Sequence, residues 1–176
     1  MKKTLFIVGA RGAGKTTIGK LLSDALSYKF IDTDESIQTM NKMTIADLVE
    51  QYGWEHFRKL ESQTLKTVSQ NEHVISTGGG MVLSLENRQY MQHNGIVIYL
   101  QATASVLSNR LSLNPENTQR PSLTGKSIIE EMEGILVERE PLYQECAHFI
   151  VDANLATEEI VSHIKSYILN QKNKLI

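Results

Sequence analysis

The sequence predicts an α/β fold in three layers, with helices on both faces of a mainly parallel sheet and a nucleotide-phosphate loop at its centre. Three observations predict it. Short apolar segments alternate with helix-like ones along the chain, the pattern of repeated strand–helix units. The first apolar segment runs into Gly9-Ala-Arg-Gly-Ala-Gly-Lys-Thr16, which fits the P-loop pattern G-x-x-x-x-G-K-[ST] at Gly9, Gly14, Lys15 and Thr16. The length of 176 residues, 41% hydrophobic and 22% charged, suits one globular domain with a real core.

The first predicted strand is Thr4–Val8. The lysines before it give the order of a signal peptide, but the apolar run is short and breaks at Gly9, Arg11 and Lys15. It therefore reads as a buried strand. A helix follows from about Gly14 to Ala25, then a strand at Lys29–Asp32. Thr44, with Asp47 three residues on, opens another helix through Ile45, Leu48 and Val49. A longer one follows Gly53, with Phe57, Leu60, Thr64, Leu65 and Val68 at helical spacing. Further strands are predicted at Val74–Thr77, Ile96–Leu100 and Phe149–Val151. Ser84 and Thr103 are placed to cap helices ending near Gln92 and Leu111. The last helix starts near Thr157 and presents Ile160, Val161, Ile164 and Ile168 on one face. The stretch Asn114–Gly125, with two prolines and little periodicity, breaks the rhythm and has the character of a lid.

Composition narrows the function. A net charge of −2 without a basic stripe gives no reason to expect nucleic acid. One cysteine, Cys146, excludes an internal disulfide and fits a reducing compartment. No run is long enough to span a membrane. A cytoplasmic monomer acting on a small molecule is expected.

The chemistry concentrates where strands end. In the P-loop, backbone N–H groups of Gly12, Ala13, Gly14, Lys15, Thr16 and Thr17 can cradle phosphates at a helix N-terminus. Lys15 can reach the β- and γ-phosphates, and the Thr16 hydroxyl can ligate Mg²⁺. Asp32 and Asp34 in Phe30-Ile-Asp-Thr-Asp34 should emerge on the same side of an extended chain, one for metal and one for an acceptor hydroxyl, or else serve as helix caps. The third and fourth strands end in Ser76-Thr77 and Leu100-Gln101, without a Walker-B acid, so Asp32 is the expected metal carboxylate. Gly78-Gly79-Gly80 can bring backbone donors close to a ligand. Arg58 can pair with Glu61, three residues on in a helix. Arg139 precedes Pro141, where a helix should break, and with Arg58 can fork onto a carboxylate. Arg120 sits in the lid-like stretch. The five histidines lack metal-ligand spacing, and Trp54, the methionines and Cys146 read as packing residues.

These residues together resemble the shikimate kinases along essentially the whole chain. The resemblance rests on the P-loop, Phe-Ile-Asp-Thr-Asp, Trp54-Glu-His-Phe-Arg58-x-x-Glu61, Ser-Thr-Gly-Gly-Gly, Arg120-Pro-Ser-Leu-Thr-Gly and Glu138-Arg139-Glu-Pro-Leu-Tyr143. The P-loop is widespread; the ordered set is much more specific. Asn94-Gly-Ile-Val97 and Arg120–Lys126 are most similar to the second of two enterobacterial isoforms. The resemblance implies a P-loop NTPase fold like that of nucleoside monophosphate kinases, with a five-stranded parallel sheet. It implies a mobile lid at about Ser112–Lys126 and a substrate-binding helical segment at about 33–61. It assigns Thr16 and Asp32 to Mg²⁺, and Asp34, Arg58, Gly79, Gly80 and Arg139 to shikimate. Lys15, Asp34 and Arg120 would be catalytic, with Arg120 reaching ATP from the lid and Asp152–Ala156 bordering the adenine. The implied activity is transfer of the γ-phosphoryl group of MgATP to the 3-hydroxyl of shikimate, a step towards the aromatic amino acids. Gluconate or nucleoside monophosphate kinases on the same fold, or a nucleotide switch without a small substrate, are the competing readings.

Overall fold

Five parallel strands form one sheet in the order β2-β3-β1-β4-β5. They are β1 (Thr4–Val8), β2 (Lys29–Asp32), β3 (His73–Ser76), β4 (Gly95–Gln101) and β5 (Phe149–Asp152). The helices are α1 (Lys15–Leu26), α2 (Thr33–Asn41), α3 (Ile45–Val68), α4 (Leu85–Asn94), α5 (Ala104–Ser112), α6 (Ile128–Cys146) and α7 (Thr157–Asn173). The computed structural model describes residues 3–113 and 127–173.

The central strand β1 is buried along its whole length, and β4 at all but its last residue, whereas the edge strands β2 and β5 are partly exposed. That gradient is the reason β1 and β4 are near-continuous apolar runs. Their side chains join Ile18 and Leu22 of α1, Leu65 of α3, Tyr143 of α6 and Ile164 of α7 in the main core. A smaller cluster of Ile37, Ile45, Leu48 and Phe57 holds α2 against the first half of α3.

Helix starts follow the predicted caps. The hydroxyls of Thr44, Ser84 and Thr103 accept from the N–H groups of Asp47, Asn87 and Val106. Gly53 breaks α3 with φ 80° and ψ 166°, so its two halves correspond to the two helices that the sequence separates there. The third strand ends one residue earlier than expected. Thr77 lies beyond it, yet its N–H and hydroxyl both donate to the carbonyl of Ile7.

Two expectations are corrected. Asp34 does not continue the extended chain of β2; it lies in the first turn of α2. The carboxylate of Asp32 caps that helix by accepting from Asp34 N–H and Glu35 N–H at 3.0 and 3.2 Å, which ends the strand. Pro141 does not break a helix either, for α6 runs through it to Cys146. Proline there forfeits one intrahelical bond to the carbonyl of Val137. Val137 lies on an exposed stretch, at 81%, while Arg139, Tyr143 and Cys146 are buried and hold the helix on the sheet.

The strand order reverses beside β1, between β3 and β4. Loops leaving the carboxyl ends of β1, β2 and β3 therefore meet over one crevice, where open α/β sheets bind ligands.

Candidate active site

The loop from Gly9 to Gly14 connects β1 to α1. Gly12 and Gly14 take φ of 85° and 93°, conformations that other residues rarely adopt. Gly14 is the N-cap of α1 and carries no capping side chain, so the first N–H groups of the helix face the cleft that begins there. The Lys15 ammonium folds back on this loop and donates to the carbonyls of Gly9 and Ala10 at 2.8 and 2.9 Å. The N–H of Ala13 is turned to the carbonyl of Ala10 at 3.2 Å. Gly12, Gly14, Lys15, Thr16 and Thr17 line a cleft of about 290 Å³ that Asp32 and Asp34 share.

On its floor the Thr16 hydroxyl donates to Oδ2 of Asp32 at 2.9 Å. Both carboxylate oxygens of Asp32 are thus in use: Oδ1 caps α2 and Oδ2 faces Thr16. The metal reading and the cap reading of Asp32 describe the same side chain. A hydroxyl and one carboxylate beside a phosphate loop are the hard oxygen donors that suit Mg²⁺, which takes its other ligands from water and phosphates.

A second group of polar side chains comes from α2, α3 and α6, beside the Gly78–Gly80 turn. Asp34 is buried at 6% exposure. Asp34 Oδ1 and Glu61 Oε1 both converge on Gly78, where a Cβ would sit 2.7 and 2.8 Å from them. Arg58 Nη1 pairs with Glu61 Oε2 at 2.5 Å, as the three-residue spacing predicts. Its guanidinium also lies 5.1 Å from the Trp54 ring centroid and 5.6 Å from that of Phe57, favourable cation–π distances. Gly80 lies directly beneath this guanidinium, and a Cβ there would collide with Nη1.

Arg139, on α6, is buried at 7% exposure. Its Nε is 3.7 Å from Glu138 Oε2, beyond hydrogen-bond distance, and has no hydrogen-bond acceptor among the described residues. A buried guanidinium with an unsatisfied donor fits an anionic ligand. Burial pushes the Glu61 carboxyl up, against the pull of Arg58; Asp34 adds to the rise and Arg139 opposes it. Both arginines therefore act on one buried carboxylate.

Tyr143 stands in the Glu138–Tyr143 motif, but no role for it was read from the sequence. Its hydroxyl donates to the carbonyl of Gly79 at 2.6 Å. The four-residue step from Arg139 places both on one helix face, but a helix stopping at Pro141 conceals that relation. Arg110 was missed too: its Nη1 is 3.4 Å from the carbonyls of Gly12 and Ala13, and its Nη2 donates to Ala153 at 2.7 Å. It ties the P-loop to the turn after β5, and no local pattern signals it. Trp54 does pack, as expected, but also on Arg58; its four-residue spacing from Arg58 was the available clue. Arg120 and all but the first two residues of the Ser112–Lys126 stretch lie outside the described residues.

Comparison with known proteins gives a consistent result. The family model "Shikimate kinase" matches residues 11–169. A Photorhabdus laumondii protein named shikimate kinase 2 is 62% identical over 170 residues, covering 97% of this chain and 98% of that one. A shikimate kinase from Acinetobacter baumannii, solved in complex with shikimate, superposes with a TM-score of 0.90 at 31% identity over 97% of this chain and 94% of that one. A gluconokinase from Sinorhizobium meliloti 1021 shares the fold, with a TM-score of 0.64 at 17% identity over 99% of this chain and 95% of that one.

Proposed function

This chain belongs to the shikimate kinase family and phosphorylates shikimate with MgATP; we propose that Asp34, Arg58 and Arg139 present the 3-hydroxyl of shikimate to the γ-phosphate. The observation that carries this reading is a convergence. Asp34 from α2 and the Glu61-held Arg58 from α3 meet at Gly78–Gly80 beside the phosphate loop, and the buried Arg139 of α6 acts on the same Glu61 carboxylate.

Each group has a task that its surroundings favour. Arg58 and Arg139 bind the ring carboxylate as fixed cations. Arg58 arrives already oriented by Glu61 and the Trp54 face, which lowers the cost of ordering it on binding. Gly79 and Gly80 offer backbone N–H groups to the ring substituents. Asp34 accepts a hydrogen bond from the 3-hydroxyl, orients it, and takes its proton as the oxygen attacks. Gly12 to Thr17 wrap the phosphates, with Lys15 released from the carbonyls of Gly9 and Ala10 to meet them. Thr16 and Asp32 would hold Mg²⁺. MgATP, when bound, supplies the phosphoryl group and a divalent charge that offsets its anionic oxygens. Arg120 would add a further cation at the ATP phosphates. Positioning and fixed charge supply most of the acceleration in such reactions.

The same reading treats the chain as one P-loop kinase domain, with a lid at about 112–126 and a substrate-binding helical segment at about 33–61. It works as a cytoplasmic monomer without nucleic acid or membrane. Among the described residues no helix is long and apolar enough to cross a membrane.

The test is ADP release from MgATP with shikimate, quinate, gluconate or a nucleoside monophosphate as acceptor. Strong turnover with shikimate alone is expected. Turnover only with another acceptor would overturn the substrate reading while leaving the phosphate site intact.

A further inference from the structure

We propose that Tyr143 is a positioning residue for the acceptor substrate: its hydroxyl sets the peptide plane between Gly79 and Gly80, and so aims the Gly80 N–H at shikimate. The inference rests on the reading that Gly80 and Arg139 contact shikimate.

The backbone of this turn is gripped by side chains at four points. Gly78 N–H donates to Thr33 Oγ1 at 3.0 Å, and Tyr143 donates to the carbonyl of Gly79 at 2.6 Å. Asn87 Nδ2 donates to the carbonyl of Met81 at 3.1 Å, and Arg88 Nη1 to that of Val82 at 2.8 Å. Within the turn, Met81 N–H donates to Gly78 and Leu83 N–H to Gly80. Only the Tyr143 bond, among these, acts on the peptide that joins Gly79 to Gly80.

That peptide is trans, as are all the others described. In a trans peptide the C=O and the following N–H point to opposite sides of one plane. Gripping the Gly79 carbonyl from the α6 side therefore turns the Gly80 N–H away from α6. Gly80 is also the residue that lies against the Arg58 guanidinium. With two glycines flanking it, this plane has little steric reason of its own to hold one orientation.

Tyr143 is built to impose that orientation. It is fully buried, stacks on Tyr99 with ring centroids 5.0 Å apart, and stands one helical turn from Arg139. A single rigid helix face thus sets both a carboxylate-binding cation and a backbone donor. Burial pushes the Tyr143 hydroxyl well above the usual tyrosine range, so it keeps the proton it donates.

The experiment compares Tyr143→Phe with Tyr99→Phe, which removes a neighbouring hydroxyl that makes no hydrogen bond to the glycine turn. Tyr143→Phe should raise the KM for shikimate about tenfold, the worth of one well-placed hydrogen bond, with the KM for ATP unchanged. Tyr99→Phe should leave the KM for shikimate unchanged. An unchanged KM for shikimate in folded Tyr143→Phe, equal changes for both substrates, or the same effect from Tyr99→Phe would overturn the proposal. The Gly80 amide resonance of the wild-type protein supplies a readout independent of either variant. It should shift on adding shikimate, and should broaden or divide in unliganded Tyr143→Phe. No shift in the wild type would overturn the underlying contact. A shift there with an unaltered KM in Tyr143→Phe would overturn the role of Tyr143 alone. If Tyr143→Phe does not fold, Tyr143→Trp, with a ring N–H donor, should keep an affinity for shikimate nearer the wild type than Tyr143→Leu does; equal affinities would overturn the proposal.

Discussion

The Thr16 hydroxyl donates to Oδ2 of Asp32 across 2.9 Å, joining the first turn of α1 to the residue that ends β2 and caps α2. One carboxylate thereby serves the phosphate loop and the helix that carries Asp34. The two duties are separable by substitution.

Asp32→Asn keeps an oxygen that caps nearly as well but loses the charge. Its melting temperature should stay close to wild type, while the Mg²⁺ concentration for half-maximal rate rises on the order of tenfold or more. Asp32→Ala should lose about 1 kcal/mol of stability as well. Thermal denaturation alongside a magnesium titration separates these effects, and a normal magnesium requirement in Asp32→Asn would remove Asp32 from the metal site.

Glu61→Gln should raise the KM for shikimate roughly tenfold or more, because Arg58 loses a charged hydrogen-bond partner, and leave the KM for ATP unchanged. Its pH signature has a definite sign. Burial holds the Glu61 carboxyl above its ordinary value of 4.5, so the folded protein binds that proton more tightly than the unfolded chain. The wild type therefore loses stability as pH rises from about 4.5 through the raised value. The melting temperature of Glu61→Gln relative to wild type should improve between pH 4.5 and neutrality. A constant difference would show that Glu61 carries no such cost.

Gly80→Ala and Gly95→Ala should fail in different ways. At Gly80 the new methyl meets the movable end of Arg58, so the fold survives while the guanidinium is displaced. A loss on the order of a hundredfold in kcat/KM for shikimate is expected, with little change in melting temperature. At Gly95 the methyl meets the backbone carbonyl of Thr4 and the Phe6 ring. There the cost should be about 1–3 kcal/mol of stability, with both KM values unchanged. Kinetics and melting curves on the two variants decide it.

His148 should make the sheet sensitive to acid. Val97 N–H donates to its Nδ1 at 3.0 Å, and the backbone N–H of His148 donates back to the carbonyl of Val97 at 2.8 Å. Burial, with Lys3 nearby, lowers its proton affinity from the ordinary 6.5. The neutral ring is the folded form, so its stabilising effect is complete above about pH 6.5 and declines as pH falls below it towards the depressed value. His148→Asn can still accept from Val97 and does not titrate. Its melting temperature should fall less than that of the wild type between pH 7.5 and 5.5; an identical fall would assign the acid sensitivity elsewhere.

Much of the fold was legible because its signals are local. Thr4–Val8 and Lys29–Asp32 have the predicted bounds, and Thr44, Ser84 and Thr103 are the caps their positions indicate. Strand burial and helix capping act on neighbours in the chain, so a single window of sequence carries them. Arg58 and Glu61 were legible for the same reason, being one helical turn apart. Asp34 was misplaced because period-two alternation was carried past Asp32, where the side-chain cap on the backbone ends the strand.

The sequence by itself determined the parallel α/β plan, the phosphate loop and the residue types that gather near Gly78–Gly80. Tertiary structure decided which of those groups are aimed and by what. Tyr143 and Gly79 are 64 positions apart, and Arg110 and Gly12 are 98 apart. Those pairs come together only because parallel strands require crossovers that return the chain to the same end of the sheet. The continuation of α6 through Pro141 is of the same kind: one backbone bond is lost locally, and burial of Arg139, Tyr143 and Cys146 outweighs it. Propensity is a property of a window, whereas a buried hydrogen bond between distant residues is a property of the whole packed chain.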